Sequence, residues 1–235
     1  MIYAIIGPTG VGKTKLSIML AKKLNAEIIN CDSQQVYKEL SIGVAKINEE
    51  EKEGIVHHLI DNVSVLDNYS VYEYQIDARK ILNRLLNEGK NVVIVGGTGL
   101  YLKALLYDYT FNDNINKNKK LYDFRLIGLT CDRSYLYDII NKRVDIMIDS
   151  GLEDEVRSLY NKSIFSKAVN TAIGYKEFYS YFKGEITKEE AISLIKKRSR
   201  NYAKRQYTFF NNQFDYIEWF DVLKMSFEDI LNTIL

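Results

Sequence analysis

From Ile2 to Leu20 the chain reads IYAIIGPTGVGKTKLSIML: an apolar run, a glycine-rich turn, then Lys13 and Thr14 ahead of apolar residues at helical spacing. No other stretch narrows the fold as much. A short run that is apolar throughout reads as a strand buried on both faces, the signature of a parallel sheet. The pattern Gly7-x-x-x-x-Gly12-Lys13-Thr14, set between a strand and a helix, predicts a phosphate-binding loop. Gly7, Pro8, Thr9, Gly10, Val11 and Gly12 are expected to curl around an anion, backbone N–H groups inward. The partial positive charge of the helix N-terminus lies behind them. Lys13 adds a point charge, and the Thr14 hydroxyl is a candidate ligand for magnesium.

The same period-based reading extends along the chain. AEIINCDS is a second strand ending near Asp32, NVVIVGGTGLY a third that runs into a glycine turn, FRLIGLTCD a fourth and FDYIEWFD the last. Helical stretches lie between them. SVYEYQIDARKILNRLLNEGK carries Tyr72, Ile76, Ile81 and Leu85 on or near one face and stops at Gly89. From SYLYDII to QYTFF the pattern is helical throughout. Strands alternating with helices predict an α/β chain: a P-loop NTPase-like three-layer fold, a central mostly parallel sheet with helices on both faces, and a helical C-terminal part. The expected division is a core over 1–110, a short polar loop over 111–123 and the remainder of the core with C-terminal helices over 124–235. A net charge of +1 means that any basic surface is local. Cys31 and Cys131 match no metal spacing and read as free thiols of a reducing, cytoplasmic setting. No apolar run is long enough to span a membrane, so no membrane partner is expected.

Phosphate-loop proteins that cleave a nucleotide usually carry a magnesium-holding acid at the end of another strand. Here VVIV ends in Gly96-Gly97-Thr98, and the acid stands instead on the second strand, as Asp32 in CDSQQVY. A carboxylate at the carboxyl end of a strand faces the crevice where open α/β sheets bind ligands. It can take a proton or hold a metal; it can equally cap a helix. GGTGLY points Thr98 toward the same crevice. In KKRSRNYAKRQ, Lys196, Arg200 and Lys204 recur every fourth residue on one helical face, Arg205 lies on a neighbouring face, and aromatics follow. Basic charge beside aromatics suits phosphates and stacked bases. His57 and His58 are adjacent, so they face apart on regular structure and make a poor metal pair.

Taken in order, GPTGVGKT, DSQQVY, HHLID, VVIVGGTGLY, GLEDEV, AIGYKE and YAKRQYTFF resemble the tRNA dimethylallyltransferase (isopentenyltransferase) family over nearly the whole chain. The resemblance implies a prenyltransferase. Dimethylallyl diphosphate would bind in the loop with Mg²⁺, and N6 of adenosine 37, beside the anticodon in the tRNA anticodon stem-loop, would displace diphosphate. By the same resemblance Asp32, Thr98 and Lys13 are the catalytic group, and Asp32 accepts or orients the N6 proton. Arg205 and Arg200 reach the diphosphate. Ser33, Gln34, Gln35 and Thr98 read the target nucleotide, while Lys196 and Lys204 hold RNA phosphates. The base is expected to be flipped out of its stack.

The chain departs from the family in one large respect. Most members insert a helical domain after the GGTGLY helix, and it grips the anticodon stem. Here only YDYTFNDNINKNKKLYDF precedes the next strand, so the insertion is missing or reduced to a loop bearing Lys117, Lys119 and Lys120. Phe209 stands where tryptophan is usual, and VAKIN lacks a common proline. A monomer is expected. Competing readings are prenylation of a free adenine nucleotide, a small-molecule or nucleotide kinase, and an RNA-binding protein without catalysis.

Overall fold

A computed structural model describes residues 1–111 and 119–235. Six strands form one sheet: β1 (Ile2–Ile6), β2 (Glu27–Asn30), β3 (His57–His58), β4 (Val92–Val95), β5 (Phe124–Thr130) and β6 (Glu218–Asp221). Their order is β3-β2-β4-β1-β5-β6, and every pairing is parallel. The helices are α1 (Lys13–Leu24), α2 (Val71–Asn87), α3 (Gly99–Leu106), α4 (Arg133–Asp149), α5 (Leu152–Asn161), α6 (Lys167–Thr171), α7 (Tyr175–Phe182), α8 (Lys188–Gln213) and α9 (Phe227–Ile234).

Strand alternation divides β1 between two cores. Ile2, Ala4 and Ile6 face Tyr74 and Leu82 of α2, Leu102 and Leu105 of α3, and Phe210 at the end of α8. Tyr3 and Ile5 face Leu16 and Leu20 of α1 and Ile230 and Ile234 of α9. The sheet is therefore the middle of three layers. A further core lies beside the sheet, where Val36, Tyr37 and Leu40 pack with Val144, Leu152, Val156, Tyr175, Phe178 and Ile195 of α4, α5, α7 and α8. The segment after β2 thus belongs to the packing of the C-terminal helices, and the space between the two bodies becomes the crevice.

The buried stripe of α2 differs from the sequence reading. Tyr74, Ala78, Leu82 and Leu85 are buried, whereas Tyr72 is 52% and Ile76 49% exposed. The spacing 74, 78, 82, 85 is a helical period displaced from the expected one, and a capping box between Ser70 and Glu73 sets where the helix begins. On the short connection after α3, Lys119 and Lys120 are exposed, and Lys120 Nζ lies 4.8 Å from the centre of the Phe124 ring. Lys117, the third member of that basic cluster, lies outside the described residues.

The chain leaves β1 for β2, returns to β4 between them, and then crosses to β5 on the far side of β1. The reversal gathers the carboxyl ends of β1, β2 and β4 around one opening, the place where open α/β sheets take ligands. Gly96 makes the gathering possible: a Cβ there would collide with the Cys31 carbonyl.

Candidate active site

The glycine-rich loop runs from β1 into α1 and ends at Gly12, whose φ of 96° no β-branched residue adopts without strain. A side chain there would also strike the Phe227 ring of α9. No side chain caps α1 at Gly12, so the first-turn N–H groups are left for an outside acceptor. Lys13 Nζ donates to the carbonyls of Gly7 at 3.0 Å and Pro8 at 2.8 Å, folding its charge over the loop. Burial, and after it the Arg143 guanidinium, lower its pKa to about 7, with the Asp32 carboxylate partly offsetting both. Thr14 follows, exposed in the first turn.

A side chain from the far end of the chain sets the loop's shape. Gln206 of α8, 5% exposed, accepts from Thr9 N at 2.9 Å and donates to Gly97 O at 3.0 Å. One amide therefore joins the turn after β1 to the turn after β4.

Asp32 stands at the end of β2. Its Oδ1 accepts from Gln34 N at 2.9 Å, an Asx turn. The capping role open to a residue of this type is thus local, and the carboxylate still faces the crevice. Thr98 caps α3 and donates its backbone N–H to Cys31 O at 3.1 Å. Its hydroxyl accepts from Ser33 N at 3.0 Å and lies 3.2 Å from Ser33 Oγ. The Tyr202 phenol of α8 is enclosed beside the Thr98 side chain; burial, then the Asp32 charge, raises its pKa, so the phenol stays neutral. Gln35 donates to the carbonyls of Val44 and Ala45, both at 3.3 Å, and so braces the cavity wall. Gln34 is different: its Oε1 is buried without a partner among the described residues, an acceptor ready for a ligand donor.

Two cavities meet above these residues. One, of about 310 Å³, is lined by Thr9, Gly12, Lys13, Thr14, Asp32, Arg143 and Gln206. The other, of about 220 Å³, shares Thr9, Asp32 and Arg143 and continues past Ser33 and Gln34 to an apolar wall of Ile140, Val144, Met147, Leu152 and Ile195. The arrangement can hold a strong anion on one side and an apolar group on the other, with a carboxylate between.

The basic helix divides into two faces. Arg205 is exposed at the mouth of the apolar-walled cavity, its guanidinium 5.6 Å from the Tyr202 ring centre. Arg200 is not brought to the loop: it donates to Asn141 Oδ1 at 2.6 Å and lies 5.9 Å from the Tyr137 ring, both on α4. Five residues of helix turn it about 140° from Arg205. Lys196 likewise pairs with Asp145 of α4 at 2.5 Å. Lys204 remains exposed and shares a groove with Asn201, Arg205, Thr208 and Asn212. The histidines are spent separately, His57 on Ile55 O at 2.8 Å and His58 on Glu27 at 2.6 Å.

GLEDEV and AIGYKE acquire physical roles. The Glu155 carboxylate of α5 accepts from the backbone N–H groups of Ser41, Ile42 and Gly43 at 3.2, 2.8 and 3.2 Å, and from the Tyr175 hydroxyl at 2.5 Å. This clasp fixes the segment whose Gly43 and Val44 line the apolar-walled cavity. Glu155→Ala leaves these donors without their acceptor. It is expected to cost about 1–3 kcal/mol of stability in a denaturant titration, chiefly from the buried Tyr175 hydroxyl and the half-buried N–H groups of Ile42 and Gly43 left unsatisfied. A change below about 0.5 kcal/mol, the size of an ordinary surface substitution, would show the clasp to be dispensable.

Arg143, Tyr202 and Gln206 had no assigned role in the sequence reading. A signal existed: Ile195, Ser199, Tyr202 and Arg205 follow one helical stripe, and all four line the same cavity.

The class that fold and site define is a parallel α/β protein with a helix-backed anion loop at the sheet's switch point and a carboxylate above it. Comparison with known proteins supplies the family. The IPP transferase family model matches residues 35–121 and 110–213. A tRNA dimethylallyltransferase of Anoxybacillus flavithermus is 41% identical, covering 100% of this chain and 94% of its own length. One from Bacillus anthracis is 40% identical, with 94% of this chain and 90% of the relative covered. The crystal structure of tRNA delta(2)-isopentenylpyrophosphate transferase from Staphylococcus epidermidis superposes with a TM-score of 0.92 at 35% identity, over 99% of this chain and 96% of that one. The full-length tRNA isopentenylpyrophosphate transferase of Bacillus halodurans gives 0.91 at 37% identity, over 99% and 95%. The chain belongs to the IPP transferase family.

The alignment with the A. flavithermus relative runs over 295 positions, 60 more than the 235 residues of this chain, so at least that many face gaps. The family match divides into two segments at 110–121, where residues 107–123 alone join α3 to β5.

Proposed function

We propose that this chain transfers the dimethylallyl group of dimethylallyl diphosphate to N6 of adenosine 37, next to the anticodon of tRNA, and releases diphosphate. The observation that carries the reading is the shared lining of the two cavities: the loop that suits a diphosphate and the apolar wall that suits a prenyl group meet at Asp32. β4 is followed by Gly96, Gly97 and Thr98 with no acid among them, and none is needed when the phosphate leaves intact.

In the reaction the N6 lone pair forms a bond to the allylic carbon while that carbon's bond to the diphosphate oxygen breaks. The electron pair departs with the diphosphate, and the N6 proton passes toward Asp32 and then to solvent. An exocyclic amine is a weak nucleophile because its lone pair is delocalised into the ring. A carboxylate accepting from its N–H enriches it as the bond forms. Negative charge grows on the leaving oxygen, and Lys13, the loop amides and the α1 N-terminus face it. Gln34 supplies an acceptor for the base, Arg205 at the cavity mouth reaches toward the diphosphate as the family resemblance implies, and Lys204 lies outside for the RNA backbone.

No group of three His, Cys, Asp or Glu side chains surrounds a metal position among the described residues. The exposed Thr14 hydroxyl fits a magnesium ion held mainly by diphosphate oxygens and water. When bound, that ion would neutralise charge on the leaving group. No described helix is long and apolar enough to cross a membrane; we read the protein as a cytoplasmic monomer.

The test is incorporation of labelled dimethylallyl diphosphate into unmodified tRNA, with AMP and ATP as alternative acceptors. Label on tRNA alone is expected. Label on free nucleotide alone would contradict the reading.

The depressed pKa of Lys13 adds a pH dependence. The free amine titrates near 7, below its usual value because of burial and Arg143. A bound diphosphate favours the ammonium and raises that pKa. Affinity is therefore fully present below pH 7 and falls as pH rises toward the bound value, by up to about tenfold per unit. Calorimetry in two buffers of different ionisation enthalpy at pH 8 is expected to show uptake of most of one proton, since the ligand's own phosphate, with a pKa of about 6, is already ionised. Absence of uptake between pH 7 and 9 would refute it.

A further inference from the structure

We propose that the prenyl cavity also takes a hydroxylated donor, a five-carbon allylic diphosphate with a hydroxyl on one terminal carbon, and that Ser199 binds that hydroxyl. The inference rests on the function proposed above and widens its donor class. The tRNA then receives a hydroxyprenyl group in one step.

The cavity that suits the prenyl group is not apolar throughout. With Ile140, Val144 and Met147 of α4, its lining holds the α8 stripe of Ile195, Ser199 and Tyr202, so a hydroxyl stands within the apolar part. The other hydroxyls of that lining are engaged. Thr9 accepts from Arg143 at 3.1 Å, Ser33 Oγ lies 3.2 Å from Thr98 Oγ1, and Thr171 donates to Lys167 O at 2.9 Å. The Tyr202 phenol is enclosed beside Thr98. Ser199 is half-buried, and its hydroxyl has no hydrogen-bond partner among the described residues. The Gln34 amide oxygen, in the same lining, is likewise buried and unpartnered. A hydrocarbon group packed against them would leave Ser199 without a partner, which is costly. A substrate hydroxyl supplies one.

The position of Ser199 along α8 matches the length of the donor. The stripe runs from the anion loop to the apolar end: Gln206 braces the loop, Tyr202 lines both cavities, and Ile195 is buried in the apolar wall. Tyr202 therefore marks the junction, where Asp32 also stands and the allylic carbon reacts. Ser199 lies three residues back, about 4.5 Å along the helix axis. Three carbon–carbon bonds of about 1.5 Å carry the prenyl chain a similar distance from its allylic carbon to its terminal carbon. The far end of the prenyl group, not its reacting carbon, thus comes alongside Ser199. A serine hydroxyl both donates and accepts, so it can serve a substrate hydroxyl in either role. The Gln34 oxygen has two lone pairs, enough for an N–H of the base and that same hydroxyl.

The transfer chemistry is unchanged. N6 bonds to the allylic carbon, the carbon–oxygen bond breaks, its electron pair leaves with diphosphate, and the N6 proton passes toward Asp32. The terminal hydroxyl is neither oxidised nor displaced, so no further reactant is needed.

The probe is the counterpart of dimethylallyl diphosphate in which one terminal methyl is a hydroxymethyl group, tested as each geometric isomer. Wild type, Ser199→Ala and Ser199→Val transfer it, or dimethylallyl diphosphate, to unmodified tRNA. The quantity read is the ratio of kcat/KM, hydroxylated donor over dimethylallyl donor. A pocket that is merely apolar disfavours an added hydroxyl by about a hundredfold. The wild-type ratio for the better isomer is expected to be about one-tenth or more. In Ser199→Ala it is expected to fall about tenfold, the loss of one hydrogen bond. Ser199→Val, which puts a methyl in place of the hydroxyl, is expected to lower it at least as far. A wild-type preference of more than tenfold for dimethylallyl diphosphate overturns the proposal. So does a ratio within threefold of wild type in both Ser199 variants. Neither result touches the function proposed above, which fails only if wild type transfers no dimethylallyl group to tRNA. Should the Ser199 variants not fold, the wild-type ratio decides.

Discussion

Asp32→Asn is expected to lower the rate of prenyl transfer by about 10²–10⁴, the usual contribution of a positioned general base, with tRNA and diphosphate binding within a few fold of wild type. Asparagine keeps an oxygen where Oδ1 accepts from Gln34 N at 2.9 Å, so the Asx turn survives and the test isolates the charge. Alanine would abolish transfer as well, but it would also release the turn that carries Ser33 and Gln34. Removing this carboxylate leaves Arg143 without its nearest opposite charge, so diphosphate binding in Asp32→Asn is expected to hold or tighten slightly. Single-turnover kinetics with bound tRNA measure the chemical step directly. Transfer within threefold of wild type would remove Asp32 from the mechanism.

Lys13→Met is expected to lower kcat/KM for dimethylallyl diphosphate by about 10²–10³ through loss of a charge aimed at the leaving group. Its effect differs in kind from that of Asp32, because it weakens diphosphate binding and chemistry together. Methionine keeps the length of the side chain while removing the donors to Gly7 O and Pro8 O. The loop also keeps its brace from Gln206 to Thr9 N and Gly97 O, so its shape is expected to persist. Proton uptake on ligand binding at pH 8 should vanish in this variant, which ties the pH dependence to one residue. Retention of both affinity and uptake would show that another group titrates.

Much of the fold was legible because parallel strands are apolar on both faces. IYAII, VVIV and FRLIGLT need no partner to be recognised, and the glycine turns mark where two of them end. β3 was not legible: two histidines make a strand only because β2 offers an edge to pair with. α9 escaped for a similar reason, since Ile230 and Ile234 make sense only against α1 and β1. On α2 the exposed Tyr72 and Ile76 imitate a buried stripe, and the true one depends on Tyr74 stacking on Tyr101 at 4.0 Å. The site shows the same division. Lys13, Thr14, Asp32 and Thr98 lie just beyond the ends of strands, so their position follows from those strands. Arg143, Tyr202 and Gln206 come from helices that pack back onto those segments, and no local spacing marks Arg143 or Gln206. Arg200 illustrates the converse: its place in a basic stripe suggested a phosphate contact, whereas Asn141 and Tyr137 of α4 engage it.

The central claim is that the phosphate held by the loop is a leaving group. Its most direct test is product stoichiometry with purified protein, magnesium, tRNA and dimethylallyl diphosphate, without ATP. One diphosphate released for each N6-prenylated adenosine, with no orthophosphate, is the expected result. A requirement for ATP, or orthophosphate in place of diphosphate, would contradict it.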